Sequence, residues 1–423
     1  MNKKLPDGWE VNKLGEICSF LSRGISPKYL EQGGACVLNQ KCIRDHNVSY
    51  DQARRHDLKI KTVSPERFIQ LGDVLVNSTG TGTLGRVAQV RNIPFEPTTV
   101  DSHVTIVRPK PGKFFLDFFG YMLVFIEELI KQAGEGCGGQ TELARSVLAN
   151  KFLVSYPTSP IEQKNIVAIL DEAFSAITIA KENIEKNLSN SLKICESYLD
   201  NVLDNYSGKF EKKTLGYVCE NVEYGTSRKS EKIGKVAVLR MGNIQGGHLD
   251  WNDLVFTSNE DEIKKYTLKK NDILFNRTNS AELVGKTAIY KGEYPAIFAG
   301  YLIRINIKKN LIDADFLNIY LNSKRIREYG FSVMSSSVNQ ANINGTKLKE
   351  YPLILPSLED QKRIASKFIS ISLETKKLEL IYKDKLEKLE ELKKSFLEKA
   401  FNGELKRKTL QKFFNKEFRE VSI

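Results

Sequence analysis

The residues best placed to do chemistry lie in a glycine-rich run, Gly80-Thr81-Gly82-Thr83-Leu84-Gly85, shortly after the β-type segment 73–76. Its G-x-G-x-x-G spacing lets a backbone approach a pyrophosphate, provided a helix starts there and turns its first N–H groups toward the anion. The next residues, RVAQVRNIPFEP, are β-like and broken by Pro94 and Pro97. The run therefore predicts a glycine-rich surface loop. Gly285-Lys286-Thr287 resembles the end of a phosphate-binding loop, but Ser280 stands where the upstream glycine is required. Histidines 46, 56, 103 and 248 form no H-x-x-x-H pair, and the six cysteines include no C-x-x-C. There is no N-P-P-Y-like tetrapeptide of an amino-methyltransferase, no nucleophilic triad and no paired-carboxylate set. The expectation is a chain without a catalytic centre, metal or cofactor of its own.

The bulk properties narrow the class. At 423 residues, two or three domains are expected. Lys and Arg number 64 against 52 Asp and Glu, a net charge of +12. The longest apolar stretch, 118–126, is interrupted by Gly120 and falls far short of the about 20 residues that span a bilayer. The opening MNKKLPDGWE has lysines but no apolar h-region, so no secretory signal is expected. Together these features predict a cytoplasmic, multi-domain, moderately basic protein with no membrane partner.

The elements that must carry the polar loops occur twice. At a shift near 200 residues, VNKLGEIC (11–18) recurs as KKTLGYVC (212–219), and VLNQKCI (37–43) as VLRMGNI (238–244). GDVLVNST (72–79) answers NDILFNRT (271–278), and LGR (84–86) answers VGK (284–286). IEQKNI (161–166) matches EDQKRI (359–364), and YSGKF (206–210) matches FNGEL (401–405). Matches in one unbroken order are the signature of an internal duplication. The glycine-rich run has no counterpart: repeat two reads NSAELVG there, without the first two glycines.

Each repeat has a globular part, residues 1–160 and 207–358, and a helical part, residues 161–206 and 359–408; residues 409–423 form a C-terminal tail. The globular parts hold nearly all the prolines and short β-type runs such as 73–76 and 272–275. In the first helical part apolar side chains fall at Ile166, Leu170, Ala173, Ile177, Ala180, Ile184 and Leu188, then at Cys195, Leu199, Val202 and Tyr206. In the second they fall at Ile364, Phe368, Ile371, Thr375, Leu378 and Tyr382, then Leu389, Leu392 and Phe396, with Lys385 interrupting. Steps of 4 and 3 without a breaker predict coiled-coil helices. At about 1.5 Å per residue each would be roughly 65 Å long. Gly208 and Gly403 supply the stops. A narrow stripe on so long a helix needs a partner, and the other helix is available. An internal pseudo-two-fold would make the pair antiparallel, with the globular parts at opposite ends of a rod. The predicted class is α+β, two globular domains joined by two long antiparallel helices.

The charge resolves by segment. Residues 1–160 carry +4 and residues 207–358 carry +7, whereas the helical parts carry −4 and +4. The domains hold the excess, which suits a polyanion without demanding one.

Duplicated globular domains joined by long helices, with P-x-x-x-I-E-Q-K-x-I opening one helix and L-E-D-Q-K-R-I the other, resemble the specificity (S) subunit of type I restriction–modification systems. LPDGWEVNKLGEI (5–17), NDILFNRTNSAELVGK (271–286) and FLEKAFNGEL (396–405) resemble that family too. The resemblance covers residues 5–405. One departure is that repeat one closes its helix with VLDNYSGKF rather than AFNGEL. The resemblance implies a non-catalytic DNA reader in which each globular target recognition domain reads one half of a split, asymmetric sequence in double-stranded DNA. The helices then fix the unread spacer. Two methyltransferase (M) subunits would dock and bring S-adenosylmethionine for adenine methylation, and restriction (R) subunits would use ATP and Mg. A structural coiled-coil scaffold or a DNA-acting enzyme are the alternative readings.

Reading base edges needs forked donors for guanine and amides for adenine, carried on loops. In the first domain the candidates are Arg23, Lys28, Arg54, Arg55, Asn77, Thr79, Arg86 and Gln140. In the second they are Arg228, Lys229, Asn276, Arg277, Asn279, Lys286, Asn339, Gln340 and Asn342. Asn77 and Asn276 each end a strand at a turn, which also suits a purely structural role.

Overall fold

The computed structural model describes residues 5–134, 142–207, 212–337 and 340–407. It divides into two compact units, residues 1–184 with 383–423 and residues 185–382. Each unit thus combines one globular domain with part of both long helices, since the domain ends are woven into the helix ends they adjoin.

In the first unit, strand Trp9–Lys13 pairs antiparallel with Leu153–Pro157, closing the start of the domain on its end. A four-stranded antiparallel sheet runs in the order Cys18–Arg23, Val104–Pro109, Val74–Asn77, Val87–Gln89. A second sheet runs Thr98–Val100, Ala35–Leu38, Arg54–His56, Tyr29–Leu30, its first pair parallel. Leu38 and Val100 of the second sheet pack with Leu75, Ala88, Val104 and Ile106 of the first. Val74–Asn77 is buried throughout, which is why residues 74–76 are a continuous apolar run rather than an alternating one. A side chain at Gly24 would place its Cβ 1.9 Å from the Val100 carbonyl oxygen, so glycine alone allows the crossing just after Cys18–Arg23.

The second unit repeats this plan. Its four-stranded sheet runs Cys219–Tyr224, Leu302–Ile307, Ile273–Asn276, Thr287–Ile289. Val236–Leu239 pairs parallel with Ala296–Phe298, as Ala35–Leu38 does with Thr98–Val100. Strand alternation is visible in the core: Leu274 packs toward the second sheet, whereas Ile273 and Phe275 join Phe316, Leu317 and Tyr320 of helix Ala314–Leu321. A three-stranded ribbon runs Thr278–Asn279, Gln340–Asn342, Ser335–Ser337, and the first unit carries the bridge Thr79–Glu142 at the matching place. The protein is therefore an α+β molecule with two repeated domains.

The repeat extends to individual side chains. Arg108 donates to Asp73 at 2.7 Å, and Arg304 reaches Asp272 at 3.5 Å and also pairs with Glu223. Burial pushes both aspartates above the usual carboxylate range, and the arginines oppose it. The glutamine of each Q-K motif is fully buried at the start of a long helix. Gln163 accepts from the Phe115 amide at 2.7 Å and donates to the carbonyls of Pro157 and Lys113 at 2.8 and 3.3 Å. Gln361 accepts from the Asp313 amide at 2.7 Å and donates to Pro356 and Leu311 at 2.9 and 3.1 Å. One amide thus ties a helix N-terminus to a distant loop where backbone groups would otherwise lack partners.

The first long helix spans Pro160–Ser207 and the second Leu358–Phe401. In the first unit Ile166, Leu170, Ala173, Ile177, Ala180 and Ile184 are all buried, as their spacing predicts. There Lys393 lies over the Phe174 ring at 5.5 Å and Lys181 pairs with Glu390 at 2.9 Å, so the two segments run in opposite directions. In the second unit Leu199 is buried and Cys195 approaches Thr375 at 3.7 Å. Ser191, buried with its hydroxyl donating to the Leu188 carbonyl, fills the stripe where the apolar pattern stumbles. The second helix ends in the first unit's core. Phe401 packs on Phe118 and Phe125 at 5.3 and 5.1 Å, and its carbonyl accepts from Ser155 Oγ at 2.7 Å. Gly403 comes next but one, with φ +72°, a left-handed stop. Gly208 and residues 409–423 lie outside the described residues. Among those described, no helix is long and apolar enough to cross a membrane.

Candidate nucleic-acid interface

The glycine-rich run is a turn between Val74–Asn77 and strand Val87–Gln89, and no helix starts within it. Asn77 staples it: fully buried, it donates from Nδ2 to the carbonyls of Gln40 and Thr83 at 3.0 and 3.1 Å, while its backbone pairs with Arg86 and Gly85. Asn276 does the same in the second unit, donating to the Leu283 carbonyl at 3.2 Å with its backbone paired to Lys286 and Gly285. Both asparagines hold loops in shape, and their amides face inward.

Thr79 lies at the loop's base with Oγ1 2.7 Å from His103 Nδ1. Thr83 donates to Gln40 Oε1 at 3.1 Å, and a side chain on Gly80 would put its Cβ 2.3 Å from that same oxygen. Arg54 lies flat on Tyr29, its guanidinium carbon 3.3 Å from the ring centroid. Strand alternation sends the next residue, Arg55, elsewhere, onto Phe95 at 4.9 Å. Arg54, Tyr29, Gln40, Lys41 and His103 border one notch of about 410 Å³. Lys28, next in the chain to Tyr29, is exposed, its amide N–H donating to His56 Nδ1 at 2.8 Å.

Other candidates are engaged by the fold. Arg23 donates to the Leu143 carbonyl at 3.0 Å and pairs with Glu142 at 2.7 Å. Arg86 donates to the Gly82 carbonyl at 2.9 Å and borders a separate cavity of about 490 Å³, together with His46, Glu127, Lys131 and Lys393. In that cavity Glu127 is almost fully buried, which would raise its pKa; hydrogen bonds from His46 at 2.6 Å and Lys131 at 2.8 Å hold it below the usual carboxylate range. Gln140 lies outside the described residues.

In the second unit the polar side chains gather on the ribbon. Arg277 sits over Tyr224 at 4.9 Å and donates to the Gly300 carbonyl at 3.2 Å. Asn342 donates to Thr278 Oγ1 at 2.7 Å, and Asn279 opposes Ala341 in the same ribbon, its Oδ1 accepting from the Ser280 amide. Gln340 is exposed on that ribbon. Arg228, 64% exposed at its side chain, reaches Glu262 at 3.4 Å, and Lys229 is exposed beside it. Lys286 is half-buried at the loop's end, and Asn339 lies outside the described residues. Among those described, no group of His, Cys, Asp and Glu is placed to hold a metal ion.

Sequence reasoning missed Gln40, Lys41 and His103. The first two sit inside a repeat match; the signal available was that repeat two replaces them with Met241 and Gly242, and His103 with Tyr301.

Comparison with known proteins fits this repeated architecture. The family model described as the type I restriction modification DNA specificity domain matches twice, over residues 6–190 and 208–391. The chain is 22% identical to the Escherichia coli K12 type I restriction enzyme EcoKI specificity subunit, over 95% of this chain and 90% of that protein. It is 24% identical to the StySPI specificity subunit of Salmonella potsdam, over 96% and 91%. Among solved structures, a chain from work on complex assembly and conformational transition of the type I R-M system superposes with TM-score 0.74 at 18% identity, covering 95% of this chain and all of that one. The HsdS subunit of Thermoanaerobacter tengcongensis gives TM-score 0.59 at 18% identity, covering 96% and 99%. With both repeats matched by one model, and the same fold found twice in the structure, the chain belongs to the type I restriction–modification DNA specificity family.

Proposed function

We propose that this chain reads a two-part, asymmetric DNA sequence, one half-site per globular domain, as the specificity subunit of a type I restriction–modification complex. The observation that carries this reading is a shared scaffold bearing different surfaces. The Gln163 and Gln361 clips, the Asp73–Arg108 and Asp272–Arg304 pairs and the Asn77 and Asn276 staples recur. The side chains exposed around them do not. Arg54, Lys41 and His103 stand in the first unit, and Arg228 and Lys229 in the second. One duplicated frame with divergent donors is what reading two unlike half-sites requires.

The two long helices form an antiparallel coiled coil related by an internal pseudo-two-fold, and act as a ruler for the unread spacer. Helices of 48 and 44 residues extend about 65–70 Å. Methyltransferase subunits dock on the chain and carry S-adenosylmethionine, and restriction subunits carry ATP and Mg. The chain performs no catalytic step, acts in the cytoplasm, and relies on the docked subunits for much of the DNA clamp. Exchanging residues 1–160 for the corresponding domain of another specificity subunit should change one half of the methylated motif and leave the other intact. A change in both halves, or in neither, sinks the modular reading. Methylation or cleavage by the isolated chain with cofactor added would favour an enzyme instead.

A further inference from the structure

Several arginines of the first unit are engaged by the fold. Arg23, Arg67, Arg86 and Arg108 all donate to carbonyls or carboxylates of their own domain. Around the 410 Å³ notch the opposite holds. The side chains of Gln40, Arg54 and His103 are each fixed through one part and leave another without a partner among the described residues, and the backbone of Lys41 is held beside them. Gln40 is held by its Oε1, which accepts from Thr83, and its amide nitrogen is open. His103 is held by Nδ1 against Thr79 and by its backbone N–H, which donates to Asp101, leaving Nε2 open. Arg54 is held by its face on Tyr29, which leaves the guanidinium edge open. Lys41 is positioned by the Asn39 side chain, whose Oδ1 accepts from the Lys41 amide at 2.9 Å while its Nδ2 donates to the Gln52 carbonyl at 2.7 Å.

The notch also contains carboxylates. Asp51 is exposed on its rim, and Asp101 lies buried behind His103. A phosphate seated here would meet negative charge beside the cations. Base edges, which present acceptors and donors side by side, suit such a mixed set. Repeat two cannot form the same notch, because Met241, Gly242 and Tyr301 replace Gln40, Lys41 and His103.

We propose that Gln40, Lys41, Arg54 and His103 determine the base sequence of the first domain's half-site by contacting base edges, with no equivalent in the second domain. This rests on the domain-by-domain reading proposed above. Fixed orientation with unpaired donors lowers the ordering cost on binding and penalises a wrong base, whose acceptor would be missing.

The test uses the full chain together with its methyltransferase subunits. The methylated motif is read by methylation-sensitive sequencing for the wild type, Gln40→Ala, Lys41→Ala, Arg54→Ala and Arg54→Lys. Affinity of each complex for the wild-type duplex is measured against salt concentration. The expected result is a motif that becomes degenerate in one half only, with about 5- to 150-fold loss of discrimination for Arg54→Ala and an unchanged salt slope. Arg54→Lys should relax the motif as well, because lysine lacks the fork. An unchanged motif with uniform weakening, and a log–log salt slope smaller by about 0.9 per charge removed, would make these phosphate contacts and overturn the proposal. An unchanged motif with unchanged affinity also overturns it. A wild-type complex that yields no two-part motif removes the underlying domain-by-domain reading, and this inference with it.

Discussion

Replacing Gln163 with leucine keeps most of the volume at the start of the first long helix and removes all three of its hydrogen bonds. The Phe115 amide and the Pro157 carbonyl then lie beside an apolar side chain in a position closed to water, since Gln163 itself is fully buried. At about 1 kcal/mol net per bond, the first unit should lose about 3 kcal/mol. With a urea m-value of about 2 kcal/mol/M, that lowers the unfolding midpoint by roughly 1.5 M. The chain has two tryptophans, one in each unit, so fluorescence can follow either unit alone. Trp9 lies beside the clip, donating from Nε1 to Glu162 Oε1 at 3.0 Å. In a Trp251→Phe background its emission reports the first unit. In a Trp9→Phe background Trp251 reports the second, where Gln361→Leu should produce a shift of similar size. A midpoint shift below roughly 0.5 M at constant m would refute the reasoning, because it would mean that other groups replace these bonds without loss.

Glu127 titrates below its unfolded value of 4.5, so its ionised form favours the fold above that pH, and the contribution disappears as pH falls through the lower folded value. Glu127→Gln should cost about 2 kcal/mol near neutrality, with thermal midpoints of variant and wild type converging in acid; a pH-independent gap would contradict this. Asn77→Ala should destabilise the first unit by about 2 kcal/mol through its two lost carbonyl partners while leaving the second domain's half of the methylated motif unchanged, as thermal unfolding and methylation sequencing would report. Deleting one heptad from each long helix removes about 10 Å of rise, which should shorten the recognised spacer by about three base pairs and keep both half-sites. An unchanged spacer in the sequenced motif would count against the ruler.

Much of the fold was legible because its causes are local. Ile166 to Ile184 could be assigned to one buried face from spacing alone, since helical geometry places those positions together whatever they pack against. The apolar spacing breaks after Leu188, where a serine continues the stripe by donating to its own helix. The candidate surface was harder to read. Arg23, Arg54 and Arg86 are chemically identical in the sequence. Only the three-dimensional neighbours separate the one lying on a tyrosine from the two tied to carbonyl oxygens. Asn77 and Asn276 were recognisable as strand-ending turn residues, yet the carbonyls they hold lie up to 37 residues away.

The sequence by itself determined the duplication, the two long helices, the family resemblance and the absence of familiar catalytic motifs, because each is written in order, period or spacing along the chain. The tertiary structure decided which donors are engaged and which stand open, because hydrogen-bond partners are fixed by folding and not by adjacency. It also gave the Q-K motif its meaning. In one dimension that glutamine is a match between repeats. In three it is a buried amide that satisfies backbone groups from two separate segments and so sets where each long helix leaves its domain.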